Sequence, residues 1–328
     1  MEIKDKSILV TGGAGAIGSR LVRILLEKQA KHIFVIDDLS SGFEWLLPND
    51  NRVTFKKMDV VDIETASLPV DGNITYCFHL AGFFANQNSV EHPEKDLHTN
   101  GLGTLKTLKW CAENNVNRLV YASAGCSIAG HDIHGPIRED MPVTLHMNTP
   151  YQITKALGEF YCNYYNEKVS TVRCRFFNSY GPGEVPGFYR NVIPNFVWWG
   201  LNNEPITITG TGKESRDFIY VNDLCEALTL CAITPDANGE AFNLGTGIET
   251  DVQTLANLVI ELTNSKSELV YKPRRSWDKS LRRQADTSKA KRILGFDAKV
   301  SFREGMEQTV KWFMENREQI ASAITEYR

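Results

Sequence analysis

The order of apolar runs predicts a doubly wound α/β fold, a parallel sheet with helices on both faces. Two observations carry this. A strand-like run, a glycine-rich turn, an amphipathic stretch and a second strand-like run follow one another within residues 7–37. Short apolar runs then alternate with helical patterns as far as about residue 176.

The first strand is 7–11 (Ser-Ile-Leu-Val-Thr), ending at a glycine cluster. Apolar periodicity over 16–29 makes the following helix, and 32–37 (His-Ile-Phe-Val-Ile-Asp) the second strand. Further strands are expected at 53–57, 74–80, 117–123 and 169–175, with helices at about 95–115 and 150–167. Beyond 176 the alternation weakens, and Gly and Pro cluster at 181–187 and 202–212. The expected division is therefore 1–176 for the large sheet and 177–328 for a smaller mixed α/β lobe. Some strands and helices of that lobe are expected to return to the first.

Composition narrows the function. Of 328 residues, 42% are hydrophobic and 23% charged, ordinary for a globular protein. A net charge of −4 without a basic block argues against nucleic acid or an anionic membrane as partner. No apolar run approaches the ~20 residues of a membrane span. Seven cysteines occur, an odd number with no C-x-x-C, mostly within apolar stretches. They read as buried free thiols in a reducing compartment, with no zinc site or disulfide framework. The first strand starts too early to leave room for a secretory leader, so the expectation is a cytoplasmic protein.

Gly12, Gly15 and Gly18 lie between the first strand and its helix, and Gly13, Gly15 and Gly18 fit G-x-G-x-x-G. Glycine allows the backbone to turn tightly and approach a pyrophosphate, which the helix N-terminus then receives. A plain tight turn also uses glycine, but the strand before and the helix after are the context a dinucleotide site requires. Asp37 ends the second strand, nineteen residues past Gly18. A carboxylate there accepts from ribose hydroxyls and repels a 2′-phosphate, favouring NAD over NADP in a Rossmann-type fold.

Tyr151 and Lys155 stand four residues apart, on one face of a helix. Thr149 reads as its N-cap, Pro150 as its first residue and Gln152 as the partner in a capping box. A free tyrosine ionises near ~10. A lysine ammonium and a cationic nicotinamide both favour the phenolate. A three-unit shift needs about 4 kcal/mol, within reach of two close cations. Tyr151 then serves as base for a substrate hydroxyl while hydride leaves the same carbon. Alone the spacing is a common accident of amphipathic helices; beside the dinucleotide motif it gains meaning.

In order along the chain, these motifs resemble the extended short-chain dehydrogenase/reductase superfamily, in its nucleotide-sugar epimerase/dehydratase branch, over about residues 5–315. The turn T-G-x-x-G-x-x-G reads Thr11 to Gly18, and D-N-L-S-x-G reads Asp37-Asp38-Leu39-Ser40-Ser41-Gly42. H-L-A-A reads His79-Leu80-Ala81-Gly82, and R-x-x-N-x-Y-G-P reads Arg175 to Pro182. The S-V-x-x-P and N-x-x-G-T segments read Ser89 to Pro93 and Asn100 to Thr104. The resemblance implies NAD held by Gly12, Gly15, Ala16, Ile17, Gly18, Asp37, Asp38, Ser40, Ser41, Gly42, Asp59 and Val60. Leu80, Ala81, Gly82, Asn100, Ser123, Tyr151, Lys155 and Phe176 complete that set.

For the substrate, a UDP- or GDP-linked hexose, the resemblance implies Asn178, Asn191, Val192, Thr207, Thr209, Arg216, Arg275 and Asp278. A forked guanidinium suits a diphosphate. Arg282 and Arg283 read as a solvated basic stretch. Phe83, Phe84 and Asn86, in the loop after the fourth strand, are positioned to meet the sugar. A packing role is preferred for Trp198 and Trp199. The resemblance also implies a homodimer paired through the helices near 95–115 and 150–167. Trp110, Tyr161 and Tyr164 there fit either that interface or an ordinary core.

One segment departs from the branch's pattern. The branch places a catalytic Ser or Thr just beyond the fifth strand, in S-[ST]-x-x-V-Y-G, where this chain has Ser123-Ala124-Gly125-Cys126-Ser127-Ile128-Ala129-Gly130. Neither Ala124 nor Gly125 has a hydroxyl. Ser127, in a segment one residue longer, is the catalytic candidate, with Ser123 on the cofactor side and Cys126 in packing. The Asp-Glu of the 4,6-dehydratases and the Glu of the decarboxylases are absent there. The ranking is a 4-epimerase resembling UDP-glucose 4-epimerase, then a 4-dehydrogenase, then a dehydratase or decarboxylase. A non-catalytic NAD-binding scaffold is the remote alternative.

Overall fold

The computed structural model describes residues 2–66, 74–129 and 135–326, without the side chains of Cys126, Ser127, Thr325 and Glu326. The candidate Ser127 side chain therefore lies outside the described residues, as does Gly130. The first half runs β1 (Ser7–Thr11), α1 (Ala16–Glu27), β2 (His32–Asp37), β3 (Val53–Lys57) and β4 (Tyr76–His79). It continues through α2 (Asn86–Glu91), α3 (Pro93–Asp96), α4 (Gly103–Glu113), β5 (Arg118–Ala124), α5 (Gly125–Ile128), α6 (Pro150–Tyr165) and β6 (Ser170–Phe176).

The second half runs β7 (Asn178–Tyr180), α7 (Val192–Leu201), β8 (Ile206–Thr209), β9 (Ser215–Tyr220), α8 (Val221–Ile233) and β10 (Ala241–Leu244). Then come β11 (Glu249–Asp251), α9 (Val252–Thr263), β12 (Leu269–Lys272), α10 (Ser288–Leu294), α11 (Phe302–Glu315) and α12 (Arg317–Glu326).

The large sheet has the order β3-β2-β1-β4-β5-β6-β10. Every neighbouring pair in it is parallel. Its central strands are apolar runs because helices cover both faces; Ile8, Leu9, Val10, Cys77 and Phe78 are all fully buried. The order reverses between β1 and β4, and the crevice outside the carboxyl ends of such strands is where this architecture holds ligands.

The chain leaves the large sheet after Phe176 to lay down β7, β8 and β9, returns as β10, and leaves again to add β11 and β12, which complete the three-stranded sheet β11-β9-β7 and the β8–β12 pair. One apolar cluster runs from Ile8 and Leu21 through Leu224 and Phe242 to Leu255 and Phe313, so both halves share a core. Trp198 and Trp199 pack against it. Six cysteines, Cys77, Cys111, Cys162, Cys174, Cys225 and Cys231, are buried free thiols. No helix among the described residues is long and apolar enough to cross a membrane.

The helix expected over 95–115 is broken. After Asp96 a wider, π-type turn covers Leu97–Leu102, and α4 begins at Gly103. Asn100 sits in that turn, accepting from Phe83 N–H at 2.8 Å and donating to Asp96 Oδ1 at 2.8 Å. The bulge aims its side chain at the loop after β4, where regular spacing would not. Trp110 belongs to the core, whereas Tyr164 is 67% exposed.

Candidate active site

The β1–α1 turn shapes one end of a cleft at the sheet's switch point. Gly12 has φ +72°, and a Cβ there would lie 2.5 Å from Ala81 N. A Cβ on Gly18 would run into the Gly12 carbonyl. The turn is thus closed to side chains from two sides, leaving its backbone bare toward the cleft. Asp37 is nearly buried and accepts from Ala14 N–H and Leu39 N–H, both at 2.9 Å. Burial raises its pKa, and those backbone donors oppose the rise.

The same cleft is lined by Gly15, Ala16, Ile17, Asp38, Ser40, Ser41, Asp59, Val60, Leu80, Ala81, Gly82, Ser123 and Phe176. Tyr151 and Lys155 also line it, as do Phe84, Asn178 and Asn191. Gly42 and Asn100 are set behind the wall. A Cβ on Gly42 would press on Ala14, and Asn100 braces Phe83. Asp59 caps a short turn at Val61 N–H and meets His98 at 3.2 Å.

Helix α6 starts where the sequence places it. Thr149 Oγ1 accepts from Gln152 N–H, and Gln152 Oε1 reaches back to Asn148 N–H at 2.6 Å. This holds Tyr151 on the first turn and Lys155 one turn on. Lys155 Nζ donates to Ala122 O at 2.9 Å and stands 5.7 Å from the Tyr151 ring centroid. Burial pulls the Lys155 pKa down to about 8, with buried Asp96 opposing. Nearby His79 bridges Thr11 Oγ1 and Thr104 Oγ1, and burial holds it down to about 3, so it stays neutral.

Ser123 Oγ donates to Glu159 Oε1 at 2.5 Å, and Arg175 grips both oxygens of Glu159 at 2.9 and 2.8 Å. The three are buried together under the β5–β6 end of the cleft.

The remaining substrate candidates are not on this wall. Val192 opens α7, capped by Asn191. Thr207 and Thr209 lie on β8, against Val270 and Lys272 of β12. Arg216 pairs with Asp278 at 3.3 Å, and Arg275 lies over the Trp277 ring at 5.7 Å. Trp277 Nε1 donates to Gln87 Oε1 at 2.5 Å, tying this segment to α2 at the cleft edge. Arg282 is exposed and paired with Glu249. Arg283 corrects the expectation of a solvated stretch. It is 5% exposed and donates to Ser280 Oγ, because the chain folds back over it.

Two charged residues in the cleft escaped the sequence reading. Glu184 is buried, accepts from Asn191 Nδ2 at 2.9 Å, and is pushed up to about 7 by burial, with the Arg190 charge opposing. Arg190 Nη2 donates to Ser41 O at 2.5 Å, drawing the loop before α7 across to the loop after β2. The one signal was a lone carboxylate in the Gly/Pro-rich run 181–187.

The fold and this cleft define a dinucleotide-binding α/β enzyme with a tyrosine–lysine pair. The chain belongs to the NAD-dependent epimerase/dehydratase family, whose model matches residues 8–245. It is similar to the structure of epimerase Mth375 from Methanothermobacter thermautotrophicus (45% identity, TM-score 0.94, covering 98% of this chain and 95% of that one). It is also similar to the Bordetella bronchiseptica enzyme WbmF in complex with NAD+ and UDP (34%, 0.86, 99% and 97%). Among curated proteins, a UDP-glucose 4-epimerase of Mycolicibacterium smegmatis is 33% identical over 312 residues, 93% of this chain and 97% of that one. The family's cofactor is NAD. The bare backbone at Gly12, closed to any Cβ, and the Asp37 carboxylate at the end of β2 fit that group.

Proposed function

We propose that this chain is a nucleotide-sugar 4-epimerase acting on a UDP- or GDP-linked hexose. The carrying observation is Lys155, buried 5.7 Å from the Tyr151 ring, in a cleft whose other end is the glycine turn and Asp37. NAD bound there would supply a reversible acceptor for the C4 hydride. The residues named for NAD above would hold it, the glycine turn suiting a pyrophosphate and Asp37 ribose hydroxyls. Tyr151 takes the C4 hydroxyl proton, and the Lys155 ammonium favours its phenolate. Asn178 and Asn191 bind toward the sugar. Arg216 holds the diphosphate, and Arg275 and Asp278 help hold the nucleotide.

Residues 123–130 bring no carboxylate to expel water or carbon dioxide from the sugar. That favours return of the hydride on the opposite face. The UDP in the WbmF complex and the M. smegmatis relative support a uridine nucleotide.

Incubation with UDP-, GDP-, CDP- and dTDP-sugars tests this. The expected product has unchanged mass and a new retention time. Loss of two hydrogens would mean a 4-dehydrogenase, and loss of water or carbon dioxide a lyase. No conversion of any sugar would leave a scaffold.

We further propose a homodimer. Leu97, Leu102, Ile153, Phe160 and Tyr164, on the π-type turn and α6, are 41–67% exposed. Covering such apolar side chains favours association. Light scattering of the intact chain should give twice its mass; a monomer at micromolar concentration would refute the pairing.

A further inference from the structure

A base at Tyr151 gives the reacting oxygen one hydrogen-bond partner. As that oxygen passes between hydroxyl and ketone its charge changes, and a second, fixed donor stabilises the charged stage. Among the described residues, the hydroxyls around Tyr151 are already committed: Ser123 Oγ donates to Glu159, Ser89 Oγ to the Asn86 backbone carbonyl and Thr149 Oγ1 to Asn86 Oδ1. Lys155 Nζ gives one N–H to Ala122 O, and its charge serves Tyr151. Ala124, at the end of β5, has no hydroxyl.

Asn86 is different. It lines the cleft at the start of α2. Thr149 Oγ1 donates to Asn86 Oδ1 at 2.8 Å and accepts from Gln152 N–H. The amide oxygen thus faces Thr149. Nδ2 is left on the other side, with no hydrogen bond among the described residues. The backbones that carry the amide and the base are tied together: Ser89 Oγ donates to the Asn86 backbone carbonyl at 2.8 Å and accepts from Tyr151 N–H at 3.1 Å. The Phe84 ring meets the Tyr151 ring edge-on at 6.4 Å. The first turns of α2 and α6 thus form one rigid corner.

We propose that Asn86 Nδ2–H donates to the C4 oxygen of the sugar while Tyr151 exchanges its proton. No bond to Asn86 is made or broken: the proton goes to Tyr151 and the hydride to the nicotinamide cofactor. This rests on the reading of the site as a nucleotide-sugar redox centre.

The test is Asn86→Asp, which keeps Oδ1 for Thr149 and removes the donor, beside Asn86→Ala and Ser127→Ala. Each is assayed with a nucleotide sugar the unaltered chain converts, and each is checked by thermal melting and NAD binding. Asn86→Asp is expected to lower kcat on the order of 10²-fold with KM changed little. Its deficit should shrink toward acid pH, where the neutral carboxyl donates again, while Asn86→Ala stays low throughout. Asn86→Asp and Asn86→Ala kcat values matching the unaltered chain would overturn the proposal. So would a deficit confined to Ser127→Ala, which would give the role to that hydroxyl. An unaltered chain inert toward every nucleotide sugar would overturn the reading of the site itself, and this proposal with it.

Discussion

Replacing Tyr151 by phenylalanine is expected to lower turnover by about 10³-fold or more, leaving the melting temperature and NAD affinity nearly unchanged. The hydroxyl is all that is lost, and the ring keeps its edge contact with Phe84. The pH profile carries more information than the rate. Lys155 is charged below about 8 and neutral above. Rising pH through about 8 discharges the ammonium that stabilises the Tyr151 phenolate. Activity should fall on the alkaline side of about 8 in the unaltered chain. Tyr151→Phe should show only a flat residual rate. A variant that turned over normally would remove Tyr151 from the chemistry and favour a scaffold.

The parts legible in the sequence are those fixed by local rules. The run 7–37 contains its own turn glycines and strand ends, and the strands fall at Ser7–Thr11 and His32–Asp37 as read. The α6 cap is equally local, since Thr149, Pro150 and Gln152 satisfy one helix end among themselves. What escaped depends on distant chain. Arg190 reaches Ser41, 149 residues away, and Glu184 is unusual because of where its loop is buried. Asn86 was legible as a residue near the sugar, but its orientation comes from Thr149, 63 residues on. The break at Leu97–Leu102 obeys the same logic. Periodicity reads a continuous helix, and the demand of Asn100 on Phe83 overrides it. Arg283 looked solvated because charge runs usually are; only the fold of the C-terminal segment buries it.

Lys155→Met is the second large effect, and it should move activity and stability in opposite directions. Lys155 is 5% exposed, and burial lowers its pKa from 10.5 to about 8. The folded state therefore binds fewer protons than the unfolded chain between about 8 and 10.5, so stability rises with pH across that window. Below about 8 the buried charge costs the fold on the order of 3 kcal/mol. Methionine fills similar space without the charge, and replacing a buried ion by an apolar side chain is often neutral or stabilising. The loss of the bond to Ala122 O and of the counter-charge for Asp96 offsets part of that gain. At pH 7 the variant is expected to melt at or above the unaltered chain, with the pH 8–10 slope of stability much reduced. Turnover should drop by about 10²–10³-fold, because the phenolate of Tyr151 loses its neighbouring cation. A variant that melts well below the unaltered chain and retains the slope would make Lys155 a structural anchor. The expected pair, lower activity with equal or greater stability, is the signature of a residue kept for its chemistry at the fold's expense.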